Sequence, residues 1–176
     1  NDDGFDEIFA YTQAGDSLFL YMHDLRRKQV IIKQQFLLKN QVPIDYPGRP
    51  FVVHPGGLID LNKSGHKALV FASWSLASIQ PRGVYIYDIQ EQMIISRLEN
   101  YVAWGDLFFY DLSGDGREEI FLTGQAYGNV HHPHPYRDDR CWLFVLDHHL
   151  NPIFEPIPFG EYPSTLHAKS IETNSE

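Results

Sequence analysis

Asp111, Ser113 and Asp115 stand at alternate positions of one short segment, Asp111-Leu112-Ser113-Gly114-Asp115-Gly116-Arg117-Glu118-Glu119-Ile120. Oxygen donors at positions 1, 3 and 5, a backbone carbonyl at 7 and a carboxylate at 9 form the ligand order of a calcium-binding turn. Calcium takes roughly six to eight hard oxygen ligands in a flexible shell. Here the donors are Asp111, Ser113, Asp115, the carbonyl of Arg117 and Glu119, with Gly114 and Gly116 able to take the turns that aim them inward. Serine at the third position removes a carboxylate or amide oxygen, which water can replace. The competing reading is an acidic turn closed by hydrogen bonds alone.

Two other segments carry the pattern less completely. The chain opens on Asn1-Asp2-Asp3-Gly4-Phe5-Asp6-Glu7-Ile8, which supplies Asn1, Asp3, the Phe5 carbonyl and Glu7 but no first ligand. Asp60-Leu61-Asn62-Lys63-Ser64-Gly65-His66-Lys67-Ala68-Leu69 has Ala68 where the closing carboxylate belongs, so it is expected to keep the turn without metal, through side-chain hydrogen bonds from Asp60 and Asn62.

A second cluster of reactive side chains lies in Gly128–Arg140, rich in His, Tyr, Arg and Asp. Tyr127, Tyr136, Arg137 and Arg140 could stack on a ligand or donate in a fork to it. His132 and His134 would point the same way on an extended segment and could share a transition metal. A solvated, proline-stiffened loop is the plain alternative. His148 and His149, adjacent on a strand, would diverge. Trp74, Trp104, Tyr85 and Tyr87 are expected to pack between blades; of these Trp74, at the end of an apolar run, is the one placed for exposure and for contact with a sugar-like ligand.

These residues need elements to position them. Each loop leads into an apolar run: Ile8–Thr12, Leu69–Ser73 and Ile120–Gly124. Leu69 stands 61 positions after Ile8 (69 minus 8), and Ile120 51 after Leu69 (120 minus 69), spacings that suit propeller or solenoid units. A second run follows in each unit, Leu18–Tyr21 leading to Asp24, Val84–Asp88 and Leu143–Asp147. A third comes at Val30–Ile32, Met93–Ile95 and Pro152–Phe154, and strands precede two loops at Gly57–Asp60 and Leu107–Asp111. β-Branched and aromatic runs ending in turn residues, without helical periodicity, predict an all-β chain. The expectation is about three propeller blades of four short antiparallel strands. They comprise a partial blade over about 1–45, blades over about 51–100 and 104–160, and at 164–176 a tail or a next blade starting with Ser164–Ala168. Such a chain is expected to be part of a larger propeller, completed by neighbouring segments or by copies of itself. The Gly128–Arg140 stretch is an insertion on the otherwise regular third unit.

Composition narrows the function. Among 176 residues the formal charge is −9, which repels nucleic acid and attracts cations. No apolar run is long enough to span a membrane. One cysteine, Cys141, beside Trp142, reads as a packed thiol. Phosphate loops, nucleophile elbows and zinc-protease signatures are absent, so the enzyme reading is the weaker one.

The Asp111–Ile120 loop resembles the FG-GAP/VCBS repeats of integrin-alpha-like propellers, and the Leu143–Ser164 stretch looks similar to propeller sensor ectodomains of bacterial membrane signalling proteins. The resemblance implies a calcium-stabilised, periplasmic or extracellular module that binds or senses a small molecule, a glycan or a protein. The runner-up is a propeller segment of a carbohydrate-active enzyme, a lyase or glycosidase, with Asp138, Asp139, His132 and His134 as its nearest candidates.

Overall fold

A computed structural model describes residues 7–41, 51–61, 63, 65–75, 80–129 and 134–169. Asn1, Asp3, Phe5, Asn62, Ser64 and His132 lie outside the described residues. The described chain is all β, with eleven strands and no helix among them.

Strands β1 (Glu7–Ala14), β2 (Ser17–Asp24) and β3 (Gln29–Lys39) form one antiparallel sheet in chain order. The second holds β4 (Phe51–Asp60), β5 (Lys67–Ser75), β6 (Gly83–Asp88) and β7 (Met93–Glu99), and the third β8 (Ala103–Tyr110), β9 (Glu119–Gln125), β10 (Arg140–Leu146) and β11 (Ile157–Glu161). Every strand pairs with its chain neighbour, as short connections between antiparallel strands dictate. The expected acidic loops join β4 to β5 and β8 to β9.

Period-two patterning decides which faces meet. In β2, Leu18, Leu20 and Met22 are buried, alternating with half-buried Phe19 and Tyr21. They pack with Ile32 of β3 on Leu69, Phe71, Tyr85 and Tyr87 of the second sheet. The opposite face of that sheet, with Val70, Ala72, Val84 and Ile86, packs on Trp104, Ile120, Leu122 and Phe144 of the third. The middle sheet is thus covered on both sides, and β5 and β6 are buried along almost their whole length. Gly56 permits the approach of β8 to β4: a Cβ there would lie 2.5 Å from Leu107 Cδ2.

Two strand assignments change. The third unit's last strand is Ile157–Glu161 and not Pro152–Phe154, because Asp147 Oδ1 caps a turn by accepting from His149 and Asn151 N–H. That turn, with Leu150 at φ 66°, leaves only an isolated bridge from Pro152 to Leu146. His148 and His149 therefore sit in a turn with rings 4.2 Å apart, not diverging on a strand. Ser164–Ala168 does not start a new sheet. Ser164 bridges Ala126, and Leu166 exchanges hydrogen bonds with the Gln125 side chain.

Candidate functional site

The Asp111–Glu119 loop is organised by its own carboxylates. Asp111 Oδ1 accepts from Gly114 N at 2.8 Å and Asp115 N at 3.2 Å, and its Oδ2 accepts from Gly116 N at 2.8 Å. Asp115 Oδ1 accepts from Arg117 N at 2.8 Å, and Glu119 Oε2 from Leu112 N at 2.6 Å. Gly114 and Gly116 take φ of 71° and 78°, a left-handed conformation that costs other residues roughly 1–2 kcal/mol. Ser113 lies exposed at the crest and Arg117 is exposed.

One cation reaches the loop from the neighbouring sheet. Lys63 Nζ donates to the Asp115 carbonyl at 2.5 Å. The donor types suit calcium, and one oxygen each of Asp115 and Glu119 takes no part in these bonds. The carboxylates are nevertheless spread around the turn: among the described residues no three His, Cys, Asp or Glu side chains gather as a metal cluster. In the second loop, Asp60 Oδ2 accepts from Gly65 N at 2.8 Å, the turn-closing role expected of it. Of the N-terminal set only Glu7 is described, at the start of β1.

The β9–β10 insertion is anchored rather than free. Asp138 is fully buried and accepts from Arg82 Nη1 at 3.0 Å; Arg82, also fully buried, comes from the entry to β6 in the neighbouring sheet. Arg82 Nη2 donates to Asn129 Oδ1 at 2.9 Å, while its Nε makes no hydrogen bond. Burial pulls the Arg82 guanidinium below its ordinary value, and the hydrogen bond and charge of Asp138 oppose that pull. Gly128 N donates to the Asp138 carbonyl, closing the base of the insertion.

Trp74 packs in the core, as expected of the large aromatics, and is not exposed as its place at the end of an apolar run allowed, because β5 lies between two sheets. Its ring lies 5.2 Å from that of Tyr127, and the Arg82 guanidinium lies 5.6 Å from its centroid. Its Nε1 donates to His54 Nε2 at 3.4 Å. Tyr127 is 46% exposed, so it is the solvent-facing member of this stack. The described remainder of the insertion, residues 134–140, folds back on β10. Tyr136 packs edge-on against Trp142 and Phe144, and its hydroxyl donates to Glu155. Burial, then Glu155, pushes that phenol up. His134 Nδ1 lies 2.9 Å from the Tyr136 carbonyl, and its ring lies against Tyr101. Arg137 and Arg140 both pair with Asp139, at 2.5 Å and 3.7 Å, and Arg140 also lies over Trp142.

The structure thus brings Trp74 and Tyr127 together and commits Tyr136, Arg137 and Arg140 to intramolecular contacts. It also places both candidate catalytic carboxylates in ion pairs. Arg82, Asn129 and His54 were not singled out in the sequence. A lone arginine at the start of an apolar strand was the one available signal. His54 borders an open groove of about 530 Å³ with Asp106 and Lys169. Burial lowers its pKa and the Asp106 charge opposes the shift. Asp106 also accepts from the Ala168 N–H and pairs with His167 at 3.1 Å. Among the described residues, no helix is long and apolar enough to cross a membrane.

Comparison with protein-family models, curated proteins and solved structures gives no match to this chain.

Proposed function

We propose that the chain is a ligand-binding module of β-propeller type, its three sheets acting as successive blades and its Asp111–Glu119 loop stiffened by calcium. The observation that carries the binding role is the solvent-facing Tyr127 ring, backed by buried Trp74 and Arg82, beside an insertion pinned by a buried ion pair. A protein that only needed a short β9–β10 turn gains nothing from ordering this segment, whereas a recognition surface gains affinity when its contacts are held in place before the ligand arrives. An exposed tyrosine backed by a tryptophan suits the apolar face of a sugar ring, so the ligand class is a neutral glycan.

Calcium would be held by Asp111, Asp115, Glu119, the Arg117 carbonyl and, directly or through water, Ser113. It would supply a fixed charge that draws the turn's carboxylates together at the rim of the third sheet. A site short of one carboxylate fills where calcium is millimolar, which supports an extracellular or periplasmic setting.

The test is titration calorimetry against a panel of neutral oligosaccharides. At least one should bind, and Tyr127→Ala should weaken it at least tenfold while the unfolding temperature stays within a few degrees. A wild-type chain that binds none of the panel, or a variant that binds as well as wild type, overturns the assignment.

A further inference from the structure

Among the described residues, the two outer sheets each have one apolar face that no other sheet covers, and the two faces are the two halves of an interface the chain already makes twice. A residue's distance from the aspartate that ends its strand predicts which way it faces. Three residues before that aspartate stand Tyr85 and Phe144. Tyr85 packs towards the first sheet and Phe144 towards the second, each facing the preceding sheet. Tyr21 holds that position before Asp24, and its side points away from the core, where no other described sheet packs. Four residues before the aspartate stand Leu20 and Val84, each packed on the following sheet. Leu143 holds that position before Asp147, on the open side of the third sheet.

Both open faces are apolar over several strands. On the first sheet, Phe19 pairs across to Phe36, and Ile8 and Phe36 are 47% and 51% exposed. On the third, Phe121 pairs with Phe108 with rings stacked at 5.0 Å, and Leu143 pairs with Ile157, itself 40% exposed. There Phe108, Tyr110, Leu112, Phe121 and Leu143 line a groove of about 250 Å³, bordered by Ala168 and Lys169 of the chain's own C-terminal segment.

We propose that a second copy of this chain docks head to tail, seating the outer face of its first sheet on the outer face of the third sheet. The contact is heterologous: each copy offers one face of each kind, so association either closes into a ring or continues. It touches the acidic loop only through the Leu112 side chain, uses none of the loop's oxygen donors and not Tyr127, and stands independently of the calcium and glycan assignments.

Sedimentation velocity of the 176-residue chain, over a range of concentrations, tests it with Phe36→Asp blocking one face and Ile157→Asp the other. Both positions are exposed, and matching far-ultraviolet circular dichroism verifies the fold. Wild type should show a mass at least twofold above monomer as concentration rises. Each variant alone should stay monomeric, and an equimolar mixture should give a one-to-one dimer that grows no further. The proposal is overturned by a wild type that remains monomeric, by either variant still associating alone, or by a mixture that stays monomeric.

Discussion

Arg82 and Asp138, far apart in sequence, meet with Nη1 3.0 Å from Oδ2 and with neither side chain exposed to solvent. One belongs to the second sheet and the other to the insertion on the third, so this pair couples two sheets and sets where Tyr127 sits. Removing one partner of such a pair leaves a buried charge without compensation, which costs about 3–5 kcal/mol. Asp138→Ala should therefore lose that much in equilibrium urea unfolding. Arg82→Leu combined with Asp138→Leu should lose less than the two single changes added together, since no charge is then stranded. A loss below about 1 kcal/mol for Asp138→Ala would show that the pair does not hold the insertion.

The acidic loop separates two roles that one carboxylate scan can distinguish. Asp111 accepts three backbone N–H groups, so Asp111→Ala should destabilise the chain by about 1–3 kcal/mol even in chelator. Asp115 accepts only one, so Asp115→Ala should leave chelated stability nearly unchanged and abolish the calcium response. Calcium at about a hundred times its dissociation constant should stabilise the wild type by about 2.7 kcal/mol. Differential scanning calorimetry with calcium and with chelator reads both effects. Identical wild-type melts in the two buffers would remove calcium from the account.

Trp74 and Tyr127 touch but should behave oppositely. Trp74 lies in the core between the second and third sheets, so Trp74→Ala should cost about 3–5 kcal/mol. Tyr127→Ala removes an exposed ring and should change stability by less than about 1 kcal/mol, its effect falling on ligand affinity. Urea midpoints for the two variants check this. A large stability loss for Tyr127→Ala would make that ring a packing residue.

Asp88 sets acid sensitivity where the β4–β5 loop meets the β6–β7 turn of the second sheet. Burial alone raises its carboxyl, but Glu91 N–H, the His66 ring and Gln90 N–H all donate to it, and the net shift is downward. The folded value then lies below the unfolded one, so its contribution is complete above the ordinary carboxylate range near pH 4 and disappears as pH falls through the lower folded value. Asp88→Asn should be less stable than wild type by a constant margin at pH 5–7 and should converge on it below about pH 4. Unfolding midpoints measured across that range decide it, and a margin that persists unchanged at pH 2.5 would contradict the assignment.

Much of the fold was legible locally. Val84–Asp88 and Leu143–Leu146 are strands as their β-branched and aromatic residues indicate, and the turns at Asp60 and Asp111 are closed by those aspartates. Gly65, Gly114 and Gly116 sit at positive φ, where glycine is the cheapest residue. Pro152–Phe154 misled because apolar composition does not reveal that Asp147 caps a turn across it. Packing was the first reading of Trp74; its exposure stayed open because the end of an apolar run is covered only where a second sheet reaches it, as the third sheet does here.

The sequence by itself determined the all-β class, the strand-and-turn order and the acidic loop, because each follows from periodicity and from hydrogen bonds spanning a few residues. Only the tertiary structure decided that Trp74 is buried, that Asp138 is neutralised by Arg82, and that the insertion folds back on β10. Those outcomes depend on which sheet faces meet. That choice is made by packing between residues tens of positions apart, and neighbouring residues carry no record of it.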